Sequence, residues 1–264
     1  MEYKHFNSCK CNQTEKRLQG PPTVRFTLFM SLHQHWPLFD LRVRTPLVEL
    51  RYPTDDEIGE IAEKSVTEGI HDPATMPFGI AWTDVPAPLQ QRLSLQHHWT
   101  MRANWQPHAW TCVFAVAVDG RIVGVQSAEA TNFDVLRCAL TGSFLFLPEQ
   151  GKGIGTEMRA AILHLLFDGL GAELAQTGAW ADNAASLGVT RKLGYEPEGH
   201  RRMLSRGAPR EMLGFRLSRE KWHAHRRDDI SIEALEPCLE LFGLSATTPA
   251  STALASTDAR PAGS

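Results

Sequence analysis

The sequence predicts an α/β protein in which short β-rich runs alternate with amphipathic helical runs inside one large domain. Three observations carry that expectation. Residues 141–170 read as a strand, a tight loop with Gly151, Gly153 and Gly155, and then a run with Met158, Ile162, Leu165 and Leu166 at the three-to-four spacing of a buried helical face. Residues 110–118 and 122–130 are rich in β-branched and aromatic side chains, and Asp119-Gly120 between them is a strong two-residue hairpin signal. Thr54-Asp55-Asp56-Glu57 is a capping box that opens a helix with Ile58, Ile61, Ala62 and Val66 turned inward.

The remaining elements follow in chain order. Residues 1–20 are polar and pattern-free and Pro21-Pro22 closes them off, so 1–35 is expected to be an extension, disordered for much of its length. Asp40 to Arg44 alternates Asp-Leu-Arg-Val-Arg, the period of a half-buried strand, and residues 48–52 alternate similarly. Gly69 ends the first helix, and the loop 70–78 is rich in rigid, aromatic and titratable residues for a connector. A second helix is expected over 86–105, with Leu89, Leu93, Leu95 and Trp99 as buried candidates. After the hairpin, Asn132-Phe133-Asp134 turns the chain and 136–147 forms the strand that delivers the glycine loop. Strand 173–180, helix 183–193, strand 195–204, a turn at 206–210 and strand 211–217 complete a domain over 36–228. Residues 230–242 are expected to form a short docked appendage, and Ser, Thr, Ala and Pro make 243–264 a disordered tail.

Composition narrows the function classes. With 27 basic and 30 acidic residues mixed along the chain and a net charge of −3, bulk electrostatics recommend no nucleic-acid partner. The five cysteines are an odd number without Cys-x-x-Cys spacing, which suits free thiols in a reducing compartment. Cys9, Cys11 and His5 in a polar tail make a poor ligand set, so no metal is expected. No apolar run approaches the ~18 residues of a membrane span, and the N-terminus lacks a signal-peptide core. A cytoplasmic protein with no membrane partner is the expectation.

The glycine loop carries the chemistry. Bare backbone at the start of a helix, with Thr156 as the expected N-cap, presents amides to an anion where the macrodipole also favours negative charge, so the ligand suggested is a phosphate or pyrophosphate. A Walker loop would need Ser or Thr after Gly151-Lys152, where Gly153 stands. A Rossmann fingerprint would need its third glycine one residue later than Gly155. The remaining pattern, Gln/Arg-x-x-Gly-x-Gly/Ala, is met by Gln150, Gly153 and Gly155 and resembles the acyl-CoA loop of the GCN5-related N-acetyltransferase (GNAT) superfamily. Downstream, Asp182-Asn183-Ala184-Ala185-Ser186 and Arg191-Lys192-Leu193-Gly194-Tyr195 resemble the Asn-x-x-Ser and Lys-Leu-Gly-Phe/Tyr signatures of its RimJ/RimL-like branch, in the same order.

The resemblance implies a GNAT fold, a mixed twisted central sheet with helices on both faces, and transfer of an acyl group from a CoA thioester to a primary amine on a small molecule or a protein N-terminus, with self-association left open. It implies that Gln150, Gly151, Lys152, Gly153, Ile154, Gly155 and Thr156 hold the pyrophosphate, and that backbone groups of Leu145, Phe146 and Leu147 hold the pantetheine arm and polarise the carbonyl. It also implies that Asn183 contacts that arm and that Ser186 lies near the sulfur. Plainer readings stand beside these: Lys152 as a solvated loop lysine, Asn183 as an N-cap, Ser186 as first-turn polar filling. For the base, Glu129 on the central hairpin and His71-Asp72 in the acceptor-side loop are candidates, against a turn role for Asp72 before Pro73 and a solvent-facing one for Glu129.

Trp36-Pro37-Leu38-Phe39-Asp40-Leu41, with His71-Asp72-Pro73 and Met76-Pro77-Phe78, is similar to a mycobacterial subgroup linked to succinyl-CoA as well as acetyl-CoA. A succinyl group ends in a carboxylate that needs a cation or several donors, and His71 is the nearest candidate. A non-catalytic acyl-CoA sensor and a nucleotide-binding enzyme are the competing classes.

Overall fold

The computed structural model describes residues 32–244; the expectations for the N-terminal extension, for Cys9 and Cys11 and for the tail beyond 244 lie outside the described residues. In chain order the elements are α1 (Leu32–His35), β1 (Arg42–Arg44), β2 (Glu49–Arg51), α2 (Asp55–Thr67), α3 (Leu89–Ala103), β3 (Ala109–Val118), β4 (Arg121–Thr131), α4 (Phe133–Leu136), β5 (Cys138–Leu145), α5 (Ile154–His164), β6 (Leu174–Trp180), α6 (Ala184–Lys192), β7 (Glu196–Ser205), β8 (Ala208–Ser218), α7 (Arg219–His223) and β9 (Ser231–Glu233). All nine strands form one sheet in the order β7-β8-β6-β5-β4-β3-β2-β1-β9. Every neighbouring pair is antiparallel except β5 and β6, which α5 connects as a crossover.

Local chemistry explains the elements that frame the site. Thr54 accepts from the Glu57 amide while the Glu57 carboxylate accepts from the Thr54 amide, the reciprocal capping box expected for α2. Asp119 and Gly120, at φ 50° and 79°, make the tight turn between β3 and β4 that Asp-Gly suits. Helix α5 is apolar almost all round, with Met158 and Ile162 among its buried residues, and Leu165 and Leu166 continue the buried run into a π turn at Leu165–Gly169. Such a helix must be covered on most sides, and it packs against β1, β2, β4 and β5 below and α6 beside it.

Two elements differ from expectation. Helix α3 turns Gln90 and His98 inward, whereas Leu89, Leu93 and Trp99 are exposed and Leu95 is half-buried. The reason is its partner: α3 lies on α2, where Gln90 reaches the Ser65 hydroxyl, so its leucines do not meet the sheet. Residues 230–242, read as a docked appendage, supply the ninth strand, with Arg42 opposite Glu233. They also carry Cys238 and Phe242 into the core, where Phe242 lies 5.0 Å from Trp110 and 5.5 Å from Trp105 between ring centroids.

Candidate functional site

Strands β5 and β6 are paired only from Cys138↔Leu174 to Thr141↔Thr177. Beyond that point β5 runs on against β4, ending with Leu145 opposite Gly124, and β6 runs on against β8, ending with Trp180 opposite Met212. A wedge therefore opens between two neighbouring strands of a continuous sheet. The Phe146 amide donates to the Val123 carbonyl at 3.1 Å, so the alternation of an antiparallel ladder turns the amides of Leu145 and Ser143 away from β4 and into the wedge. Of the three backbone positions expected to serve a ligand, Leu145 alone faces the opening with its amide. Phe146 is bonded to β4, and the Leu147 amide donates to the Gly69 carbonyl at 3.0 Å, because the chain leaves the strand at Phe146 for a 3₁₀ turn over Leu147–Glu149. The other amide of β5 that faces the opening is that of Ser143.

The glycine loop lies at the mouth of the wedge. Gly151 and Gly153 have φ of 75° and 85°, a left-handed backbone that other residues adopt at a cost, and a Cβ added at either would meet nothing within 4 Å. The open side of the loop thus faces space rather than packed atoms. Gly153 is the N-cap of α5 and lends no side-chain cap; Thr156, expected there, sits inside the first turn with its amide on the Gly153 carbonyl at 3.0 Å. The first-turn amides of Ile154 and Gly155 consequently lack both an intrahelical acceptor and a capping side chain. Gly155 is the close-packed one of the three, since its Cβ would lie 3.6 Å from Val189 on α6.

Two side chains brace this loop. Gln150 Nε2 donates to the Leu145 carbonyl at 2.9 Å and the Ile70 carbonyl at 2.7 Å, tying the loop to the end of β5 and to the segment after α2. Lys152 Nζ lies 3.1 Å from Glu149, which Arg121 also holds at 2.6 Å. Hydrogen bonding from Arg121, and from Lys152 behind it, holds the buried Glu149 carboxyl below the usual range. Two cations around one carboxylate leave a net positive charge beside the loop.

On the far side, Asn183 caps α6: its Oδ1 accepts from the Ser186 amide at 3.1 Å. Ser186 is half-buried in that first turn, next to the helix neighbour of Gly155.

The opposite face of the sheet carries the other candidates, because successive residues of β5 point to opposite faces. Ser143 reaches Arg159 of α5, whereas Phe144 packs against Phe78 and Trp82 at 6.1 and 5.9 Å between centroids. His71 Nδ1 donates to the Asp72 carbonyl at 2.8 Å, since a carbonyl only accepts, and Nε2 is hydrogen-bonded to the Thr83 hydroxyl at 2.7 Å. Asp72 accepts from the Ala74 amide at 2.8 Å and forms the turn at Pro73. Both residues are spent on shaping their own loop. Glu129 is exposed on β4 opposite Leu140 and lines a depression of about 540 Å³ with Thr111, Gln176 and Met101. It stands two residues before the wedge opens, roughly 7 Å along the strand.

Sequence reasoning passed over the residues that hold the 71–85 loop across the wedge. Arg206 forks onto Asp84 at 2.5 and 2.8 Å and donates to the Pro73 carbonyl at 2.9 Å. Arg210 donates to the Met76 carbonyl at 2.7 Å, pairs with Asp182 at 2.5 Å and stacks 4.5 Å over Trp180. The Trp180 indole donates to the Phe78 carbonyl at 3.3 Å. The tight turn at Arg206-Gly207 is local, but nothing local says that the β7–β8 hairpin folds back onto a loop 120 residues earlier. Arg159 carried a weak signal, a lone cation inside the apolar run 158–167.

A mixed sheet with one parallel pair that splays, a glycine loop at the N-terminus of the crossover helix and a loop bridging the splay define an α/β protein with an open cleft between two neighbouring strands. The model of the acetyltransferase (GNAT) domain matches residues 48–196, more than half of the chain, and the protein belongs to that family. Its fold is similar to that of Mycobacterium smegmatis RimJ, solved in complex with CoA-disulfide, at 22% identity and a TM-score of 0.60 over 71% of this chain and 93% of that one. It is also similar to RimL, the ribosomal L7/L12 alpha-N-protein acetyltransferase, in complex with coenzyme A, at 18% identity and a TM-score of 0.53 over 67% of this chain and 97% of that one. The self-immunity acetyltransferase MccE, solved with acetyl-CoA and AMP, is similar at 16% identity and a TM-score of 0.51 over 66% of this chain and 93% of that one.

Proposed function

We propose that the protein is an acyl-CoA-dependent N-acyltransferase that moves an acetyl or succinyl group from the thioester to a primary amine by direct attack in a ternary complex. The observation that carries this reading is the wedge beyond Thr141↔Thr177, flanked by the open glycine loop. The pyrophosphate is assigned to the open loop from Gly151 to Gly155, whose Ile154 and Gly155 amides lack acceptors, with the Thr156 hydroxyl beside them, and the pantetheine arm to the wedge-facing edge of β5 at Leu145 and to Asn183 on α6. The Ser143 amide is assigned the oxyanion role, and the Leu145 amide, about 7 Å further along the strand, is left to the pantetheine arm. Amine nitrogen attacks the carbonyl carbon, the carbon–sulfur bond breaks, and the amine proton passes to Glu129, about 10 Å along the sheet from Ser143, through a chain of waters. The thiol, with an ordinary pKa of about 8.5, leaves as thiolate without an obligatory acid, and Ser186 is assigned to hydrogen-bond it. His71 and Asp72 keep the acceptor loop in shape.

The catalytic domain is assigned to 36–228, with 229–244 completing the sheet edge. The acceptor approaches from the Glu129 face; MccE and RimL support both a small molecule and a protein α-amine as candidates. The free thiols of Cys112, Cys138 and Cys238 support a reducing, cytoplasmic setting. The test is to incubate the protein with acetyl-CoA or succinyl-CoA and a panel of small amines and peptide α-amines, and to follow thiol release. Amine-dependent release supports the transferase; CoA binding without release under every amine points to the non-catalytic module; absence of CoA binding overturns the donor assignment.

A further inference from the structure

Arg159 projects from the second turn of α5 towards the sheet and is 4% exposed. Its Nη1 donates to the Thr177 hydroxyl at 3.0 Å and its Nη2 to the Ser143 hydroxyl at 3.1 Å, while Nε has no partner. No carboxylate among the described residues pairs with it. A guanidinium stays charged under all ordinary conditions, and a buried charge without a counter-ion is costly. The more exposed Arg206 and Arg210 each have an aspartate. The cation that burial should have paired is the unpaired one.

Its position gives the exception a meaning. Thr177 is the last β6 residue paired with β5, and Ser143 is the second β5 residue past that point, so the guanidinium spans the apex of the wedge. Ser143 itself is half-buried rather than enclosed, so the apex is reached through the wedge. The two hydroxyls are not equivalent. Thr177 commits its own proton to the Thr141 carbonyl at 3.1 Å and is fixed as an acceptor, whereas the Ser143 hydroxyl makes no such bond and can turn its proton towards a ligand. Arg159 and Ser143 together offer an unpaired cation and a free O–H donor, the chemistry that a carboxylate requires.

We propose that Arg159, assisted by the Ser143 hydroxyl, is the receptor for a carboxylate at the far end of the donor's acyl group, and that it makes the protein selective for dicarboxylic acyl thioesters. This rests on the acyltransferase reading, in which the thioester carbonyl lies at the Ser143 amide. An acetyl group ends there, but an acyl group two carbons longer reaches the apex. His71, the cation that the sequence suggested for this task, lies on the opposite face with both ring nitrogens engaged.

The test is calorimetric titration of the full chain with free CoA, acetyl-CoA, succinyl-CoA and butyryl-CoA, the last matching succinyl-CoA in length with a methyl in place of the carboxylate. The wild-type protein should bind succinyl-CoA about tenfold or more tightly than butyryl-CoA, the scale of one charge-assisted pair. Arg159→Met should bring that ratio below about threefold, and Arg159→Lys, which keeps the charge without the fork, should fall between. Equal affinities in the wild type, a ratio that survives Arg159→Met, or a parallel loss for all four ligands would each overturn the assignment, the last showing Arg159 to be only a brace. Should Arg159→Met fail to fold, the wild-type ratio and Arg159→Lys decide alone. If free CoA itself does not bind, the donor reading has failed and this assignment with it; if CoA binds without discrimination, only the role of Arg159 is lost.

Discussion

Replacing Gly153 with glutamate separates the stability of the loop from its ligand. Gly153 caps α5 at φ 85° with nothing within 4 Å of a built Cβ, so no packed atom resists the new side chain. The backbone cost of a non-glycine residue at that φ is about 1–2 kcal/mol. A carboxylate at a helix N-terminus returns about 0.3–1 kcal/mol through the macrodipole. The net loss of about 1 kcal/mol should lower the melting temperature by about 2–4 °C for a domain of this size. Binding should suffer far more, because the carboxylate occupies the place assigned to pyrophosphate and repels it. Two unit charges about 4 Å apart at an effective dielectric of 20 cost about 4 kcal/mol, so a rise in the CoA dissociation constant of a hundredfold or more is expected. Gly153→Ala bears a similar backbone cost without the charge and should weaken CoA by about tenfold at most. Calorimetry with CoA on both variants, beside a thermal melt, makes the comparison. A folded Gly153→Glu protein with CoA affinity within threefold of wild type would refute the anion assignment.

Other outcomes are as definite. Phe242→Ala should cost about 3–5 kcal/mol of unfolding free energy in a denaturant titration, the range for a buried phenylalanine, since Phe242 is fully enclosed against Trp105 and Trp110. A chain ending at 244 should melt like the full protein, while one ending at 229 loses β9 and the Trp105 indole bond to the Leu241 carbonyl and should melt much lower. Burial pushes His98 down to about 4 from an ordinary 6.5, so below pH 6.5 the unfolded state binds the extra proton. Stability should therefore fall as pH drops from about 6.5 towards 4, by up to about 3 kcal/mol from this group, and His98→Leu should flatten that part of the profile. Arg206→Ala should change stability by less than about 1 kcal/mol, because the Asp84 pair is exposed, yet raise KM for the amine several-fold by freeing the 71–85 loop.

What the sequence determined by itself is what depends on neighbours in the chain. The capping box at Thr54, the Asp-Gly turn, the strand–loop–helix around Gly151 and Gly153, the buried stripe of α5 and the Asn183 cap are all set by backbone preference and spacing over a few residues, and each stands where the letters place it. The family is legible for the same reason, since its signatures are short stretches at fixed order. Tertiary structure decided the rest. Thr156 lost the cap to Gly153 because the left-handed glycine turn sets where the helix begins. The leucines of α3 face outward because that helix packs chiefly on α2, through Gln90 and His98, and meets the sheet mainly near its end at Met101. Residues 230–242 became part of the core because the edge of β1, 190 residues earlier, was open to a partner strand. Above all, the splay of β5 from β6 and the unpaired charge of Arg159 at its apex arise from which strands end beside each other, a property of long-range register that no local pattern encodes.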